Sequence, residues 1–153
     1  MPKSPTQQMS AALKAVLVPV LQEAGFDGRF PRYRRDRAEV LHFIGLQYDK
    51  AGTAFFLEAA WHPPGDKTTS WGELVPQHEL LLEHAPLEHR VRLQRHGGAS
   101  SLPADWFSYE GLGDDAAAYR ALAASVAGLL PQVEAWLARG EPGPNLSPYG
   151  ASL

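Results

Sequence analysis

Apolar residues recur at helical spacing early in the chain. Met9, Leu13, Val16, Leu17, Val20 and Leu21 fall on one face, and the pattern stops at Gly25. Ser4 followed by Pro5 supplies an N-cap and a first helical residue with a preset φ. The pattern therefore predicts a helix from Pro5 to about Gly25, kinked near Pro19, whose ring removes a backbone donor. The period then shortens to two, and three strands are predicted over about 30–35, 39–48 and 53–61. Asp49-Lys50-Ala51-Gly52 is the hairpin turn between the last two. In the third strand Phe55, Leu57, Ala59 and Trp61 share one face, while Ala54, Phe56, Glu58, Ala60 and His62 share the other. Neither face is fully polar, which puts this hairpin at the centre of its sheet. His62-Pro63-Pro64-Gly65-Asp66 stops the strand.

Residues 63–87 carry no clear period, although Pro76 and Pro86 bracket a short helix at 77–84. Val91 and Leu93 alternate with Arg90, Arg92 and Gln94, which predicts a fourth strand over 88–95. Gly97-Gly98 breaks it, and residues 102–109, with Trp106 and Phe107, form a short edge strand or a packed loop. A second long helix is predicted over about 114–138, its stripe running from Tyr119 through Val126, Leu130 and Val133 to Trp136 and Leu137. Asp114 and Asp115 suit its start, Pro131 should kink it, and Gly140 ends it. Residues 1–4 form a loose terminus. The Pro/Gly-rich tail over 141–153 is expected to be mobile unless docked.

Short links between strands imply antiparallel pairing, and two amphipathic helices need a surface to cover. The expected fold is α+β: a two-layer sandwich with an antiparallel sheet of about four to five strands and both helices packed on one face. The 153 residues form a single domain, and a hydrophobic share of 44% is enough to fill its core. A net charge of −3 excludes a general polycation for nucleic acid. The absence of cysteine excludes disulfides, thiolate metal sites and a thiol nucleophile. No signal sequence is recognised and no apolar run approaches the length of a bilayer span, so the expected location is the cytoplasm, with no membrane partner.

Candidate chemistry changes this picture at one place. Arg29, Arg32, Arg34, Arg35 and Arg37 lie within nine residues around Tyr33, and Arg90, Arg92 and Arg95 form a second group. If both strands share a sheet, they form a basic patch for phosphate, RNA or an acidic protein surface, since guanidinium groups bind such anions in a bidentate way. The competing reading is a solvated edge strand whose charges block edge-to-edge association. The candidate binding residues are Arg32, Tyr33, Arg34, Arg35, Arg37, Arg92 and Trp106.

Other constellations fail on spacing. The histidines of His78-Glu79-Leu80-Leu81-Leu82-Glu83-His84 stand six apart rather than the four a helical zinc pair requires, so no metal site is expected. Thr68-Thr69-Ser70-Trp71-Gly72 lacks the first glycine of a nucleophile elbow. Gly97-Gly98 is not followed by the Lys-Ser/Thr pair of a phosphate loop, and no cofactor is expected.

Several of these segments together resemble a known family. They are Leu17-Val18-Pro19-Val20-Leu21 with Gly25-Phe26, Tyr33-Arg34-Arg35-Asp36-Arg37, Val40-Leu41, Leu46-Gln47, Arg90-Val91-Arg92-Leu93, Asp105-Trp106-Phe107 and Leu130-Pro131. The chain resembles the bacterial domain of unknown function 4304 family over roughly residues 9 to 137. It departs from the family at Asp27 and Gly28, where lysines are usual, and over 63–87. The resemblance implies an α+β fold and a stand-alone cytoplasmic protein, and it implies no reaction. Its pattern includes arginines at the positions of Arg35 and Arg37.

Three functions compete. The first is a non-catalytic interaction module holding an acidic protein partner on the arginine strand. The second is RNA or nucleotide-phosphate binding, with Tyr33 as a stacking platform. The third is an enzyme using His42, His62 and Glu58 for acid–base work on the sheet.

Overall fold

A computed structural model describes residues 3–98 and 102–149. Helix α1 spans Pro5–Glu23. Ser4 caps it as expected: its Oγ accepts from the Gln7 amide at 3.1 Å, and the Gln7 side chain accepts from the Ser4 amide at 2.8 Å. The strands are β1 Asp27–Arg29, β2 Arg32–Asp36, β3 Leu41–Tyr48, β4 Ala54–His62, β5 Lys67–Thr68, β6 Leu74–Val75, β7 Arg90–Leu93 and β8 Phe107–Ser108. Helix α2 is Ala116–Arg139, and a last strand, β9, is Leu146–Pro148.

The main sheet runs β1-β2-β3-β4-β7-β9, and β8 pairs with β4 beyond the end of β7. All of its pairings are antiparallel. Both helices lie on one face. Leu13, Leu17 and Leu21 of α1, with Val126, Leu130 and Val133 of α2, pack against Tyr33, Ile44, Leu57, Ala59 and Val91. The α+β reading holds, with more strands than expected. The Asp49 turn is also as read: Oδ1 accepts from the Thr53 and Ala54 amides at 2.8 and 3.1 Å, and Gly52 takes φ +71°.

The extra strands correct one reading and decide one that was left open. The arginine-bearing β2 is not an edge, because β1 pairs outside it. The tail is docked along β7, with Leu93↔Leu146, Arg92↔Ser147 and Val91↔Pro148 in register, while residues 150–153 lie outside the described residues. Close backbone approach makes this docking possible. A Cβ on Gly97 would overlap the Pro144 carbonyl oxygen and come within 2.8 Å of that of Leu146. Gly97→Ala should therefore lift β9 from the sheet at a cost of roughly 1–3 kcal/mol. Urea unfolding together with proteolysis of the tail measures this, and an unshifted midpoint with an intact tail would rule it out.

Two further expectations are corrected. Residues 77–84 do not form one helix. They make separate 3-10 turns at Gln77–Glu79 and Leu82–His84, and a third follows at Leu87–His89. A two-turn helix is marginal in water, and the extended Leu80 instead buries its side chain with Leu41, Phe43, Ala60, Val75 and Ala85 on the second sheet face. The stretch without clear period thus covers part of that face, around Leu41, Phe43 and Ala60. Helix α2 is also long and apolar enough to cross a membrane by length and composition, with a mean hydropathy of 1.3 over 18 residues. In this fold its apolar stripe packs on the sheet and α1.

Candidate functional site

Strand β2 distributes its side chains by simple alternation. Its register with β3 sets Arg32 opposite Gly45, Tyr33 opposite Ile44, Arg34 opposite Phe43 and Arg35 opposite His42. Following the rows across β4 and β7, Gly45 meets Glu58 and Glu58 meets Arg92, while Phe43 meets Ala60 and Ala60 meets Arg90. Arg32, Arg34, Arg90 and Arg92 therefore stand on one face, the face opposite the helices. The two arginine groups of the sequence do share a sheet. Tyr33 and Arg35 point the other way, into the helix layer, and Arg37 lies past the end of the strand.

On the open face the arginines are already engaged. Arg32 pairs with Glu83. Arg34 grips Asp36 through Nε at 2.6 Å and Nη2 at 3.2 Å, and donates to the Leu80 carbonyl at 3.2 Å. Burial works against the charge on Glu83, yet its own backbone amide and Arg32 hold its carboxyl below the usual range. Between β2, β3 and residues 80–83 lies a cleft of about 520 Å³, bordered by Arg32, Arg34 and Arg90 with Phe43 and Gly45 in its lining.

Beside it sits a compact polar knot. Glu58 is 4% exposed. Its Oε1 accepts from Arg90 Nε at 2.7 Å, and its Oε2 accepts from the Tyr149 hydroxyl at 2.8 Å. That hydroxyl accepts in turn from Arg92 Nε at 2.8 Å. The Arg92 guanidinium stacks over Phe56 at 4.3 Å, and Trp106 meets Phe56 edge-on at 4.7 Å. Arg92 and Trp106 thus belong to this packed corner, where Tyr149 ties the docked tail to the middle of the sheet.

The helix side holds the second polar cluster. Arg35, 6% exposed, donates through Nη1 and Nη2 to both oxygens of Glu134 on α2, at 2.9 and 2.7 Å. Nη1 also donates to the Ala24 carbonyl at 3.0 Å, and Nε donates to His42 Nδ1 at 3.1 Å. The guanidinium covers the Phe26 ring at 4.3 Å. The Arg35 hydrogen bonds hold the Glu134 carboxyl below its ordinary range. Burial, reinforced by the Arg35 charge, lowers His42 to about 4.

The three groups weighed for acid–base work do not converge. His42 faces the helices and Glu58 the opposite side. His62 shares the Glu58 face but stands four residues along the strand, roughly 13 Å away, with Nδ1 against the Pro63 carbonyl at 2.6 Å. Among the described residues no three His, Asp or Glu side chains gather for a metal ion. Tyr33 is 4% exposed within the helix-side core, so its ring offers no stacking face.

Sequence reasoning missed Glu83, Glu134 and Tyr149 as partners of the arginines. Glu134 carried a signal, being the one acidic residue in α2 and set among the apolar positions Leu130, Val133 and Leu137. Glu83 and Tyr149 lay in segments without periodicity, so nothing local marked them.

No match to the chain was found among curated proteins or among solved structures. A family model does match, over residues 17–137, from within α1 through β1–β8 to near the end of α2, so that β9 and Tyr149 lie beyond it. By that match the chain belongs to the family described as Domain of unknown function (DUF4304).

Proposed function

We propose that the chain is a non-catalytic interaction module that docks an acidic segment of a partner protein on the open face of its sheet. The observation that carries this reading is the cleft of about 520 Å³ bordered by Arg32, Arg34 and Arg90. The Arg32–Glu83 pair lies at the surface, and exposed ion pairs contribute only about 0–1 kcal/mol. A partner carboxylate can therefore replace Glu83 at little cost. The neighbouring 63–89 segment adds apolar anchors, with Trp71 74% exposed and Leu74, Leu81 and Leu87 also at the surface. RNA binding keeps the guanidinium groups but loses the stacking ring, because Tyr33 is buried. A cytoplasmic setting belongs to the same reading.

Tagged protein recovered from its native lysate after nuclease treatment tests the proposal against two variants that keep the wild-type circular dichroism spectrum. Arg32→Glu with Arg34→Glu should lose the partner. Glu83→Gln should hold it about two- to fivefold more tightly, the size of one exposed pair no longer competing. A partner retained by the double glutamate variant would remove the open face from consideration. Recovery abolished by nuclease would turn the reading to RNA.

A further inference from the structure

A second cleft, of about 720 Å³, opens on the helix side between the C-terminal parts of α1 and α2. Val20, Phe26, Ile44, Leu130, Val133 and Leu137 contribute its apolar lining. Its size and lining suit a mid-sized organic molecule held mainly by its hydrocarbon part.

The polar groups at this cleft are unequal. Arg35 also lines it, but its donors are occupied by Glu134, the Ala24 carbonyl and His42. Arg139, another lining residue, is engaged with Glu141 at 2.6 Å. Two groups are left over. One is His42, which also lines the cleft and is 6% exposed. Its Nδ1 accepts from Arg35, so the neutral ring carries its proton on Nε2, and that buried Nε2 has no hydrogen-bond partner. Buried donors are rarely left unpaired without a reason. The other is Arg37, exposed at the cleft, which forms no ion pair among the described residues. With Arg35 balanced by Glu134 and Arg139 by Glu141, Arg37 leaves one uncompensated positive charge.

An apolar lining, one spare neutral donor and one spare cation describe a single ligand class. We propose that the helix-side cleft binds an apolar monocarboxylate, its hydrocarbon part between α1 and α2 and its carboxylate taken by Arg37 and the Nε2–H of His42. Arg37 is near enough to His42 for its charge to help keep the ring neutral, which preserves the acceptor at Nδ1 for Arg35. The Arg35–Glu134 pair, buried on the arginine side, then serves as the support that orients the His42 ring.

Titration calorimetry with decanoate, below its micellar range, tests the assignment on the full chain, with 1-decanol as the uncharged counterpart. Decanoate should bind one per chain and at least tenfold more tightly than 1-decanol. Arg37→Glu, at an exposed position, should weaken decanoate at least tenfold and leave 1-decanol unchanged. Ala127→Trp, which fills the cleft from α2, should abolish both while the circular dichroism spectrum stays that of the wild type. The proposal is overturned if decanoate shows no saturable binding, if 1-decanol binds equally well, if Arg37→Glu leaves decanoate affinity unchanged, or if a folded Ala127→Trp variant still binds it.

Discussion

Replacing Glu58 with leucine should cost about 3–5 kcal/mol, the range for removing one member of a buried ion pair and stranding the other. Glu58 stands in the central strand β4 and fills both carboxylate oxygens, one from Arg90 and one from Tyr149. The Arg90 side chain is itself largely buried, so losing the carboxylate leaves a cation with little access to water. The Tyr149 hydroxyl loses its acceptor in the same step, and with it goes one of the ties holding β9 to the sheet. Glu58→Gln, which keeps the shape and one acceptor, should cost less, about 1–2 kcal/mol. Glu58→Leu combined with Arg90→Met should be milder than Glu58→Leu alone, because it removes the stranded charge. Urea midpoints for the four proteins check all three statements. A Glu58→Leu midpoint within about 0.5 kcal/mol of the wild type would mean that the knot does not support the fold.

Acidification should weaken the fold between about pH 6.5 and pH 4, through His42. Its ring titrates near 4 in the folded chain against an ordinary value of 6.5. Within that window the unfolded chain takes up a proton that the folded chain refuses, so stability falls as pH falls and this contribution levels off below about 4. Above pH 6.5 the contribution is fully present. A difference of about 2.5 units corresponds to about 3 kcal/mol. The lowered carboxyl of Glu134 adds a loss of the same sign at still lower pH. His89, also lowered by burial, contributes in the same direction, so the comparison has to be with a variant. His42→Asn keeps an acceptor for Arg35 but cannot titrate, and its stability should vary less with pH by about that amount. Parallel pH profiles for the two proteins would count against the buried neutral ring.

Where the chain carries its own period, the sequence was sufficient. Ser4, Pro5 and the Met9-to-Leu21 stripe marked α1, the alternation of Phe55, Leu57 and Ala59 marked β4, and the stripe from Tyr119 to Trp136 marked α2. Strand β1 has three exposed residues, Asp27, Gly28 and Arg29, and becomes a strand only because β2 lies beside it. Strand β9 ends on Pro148, in a tail whose composition argues for disorder, and it forms because β7 offers an open edge and Gly97 lets the backbones approach. Both depend on a neighbouring strand provided by the assembled sheet, which the pattern of the segment itself cannot contain. The arginine site was half legible. Period two separates Arg32 and Arg34 from Tyr33 and Arg35, but only the sheet decides which set meets water and which meets Glu134.

That separation bears on how the strand finds its place. Sliding β2 by one residue along β3 would exchange its two faces. Arg32 and Arg34 would turn toward the layer beneath Leu13, Leu17 and Val126, where Glu134 could meet at most one of them, and the Tyr33 ring would be expelled into water. Arg35 would leave Glu134, the acidic residue of α2, behind. Among the neighbouring alignments of this hairpin, only the native one pairs Arg32, Arg34 and Arg35 each with its carboxylate, so misaligned pairings formed early in folding are strongly penalised. A run of charge that reads along the chain as a surface label is also a ratchet that sets the alignment of its own strand.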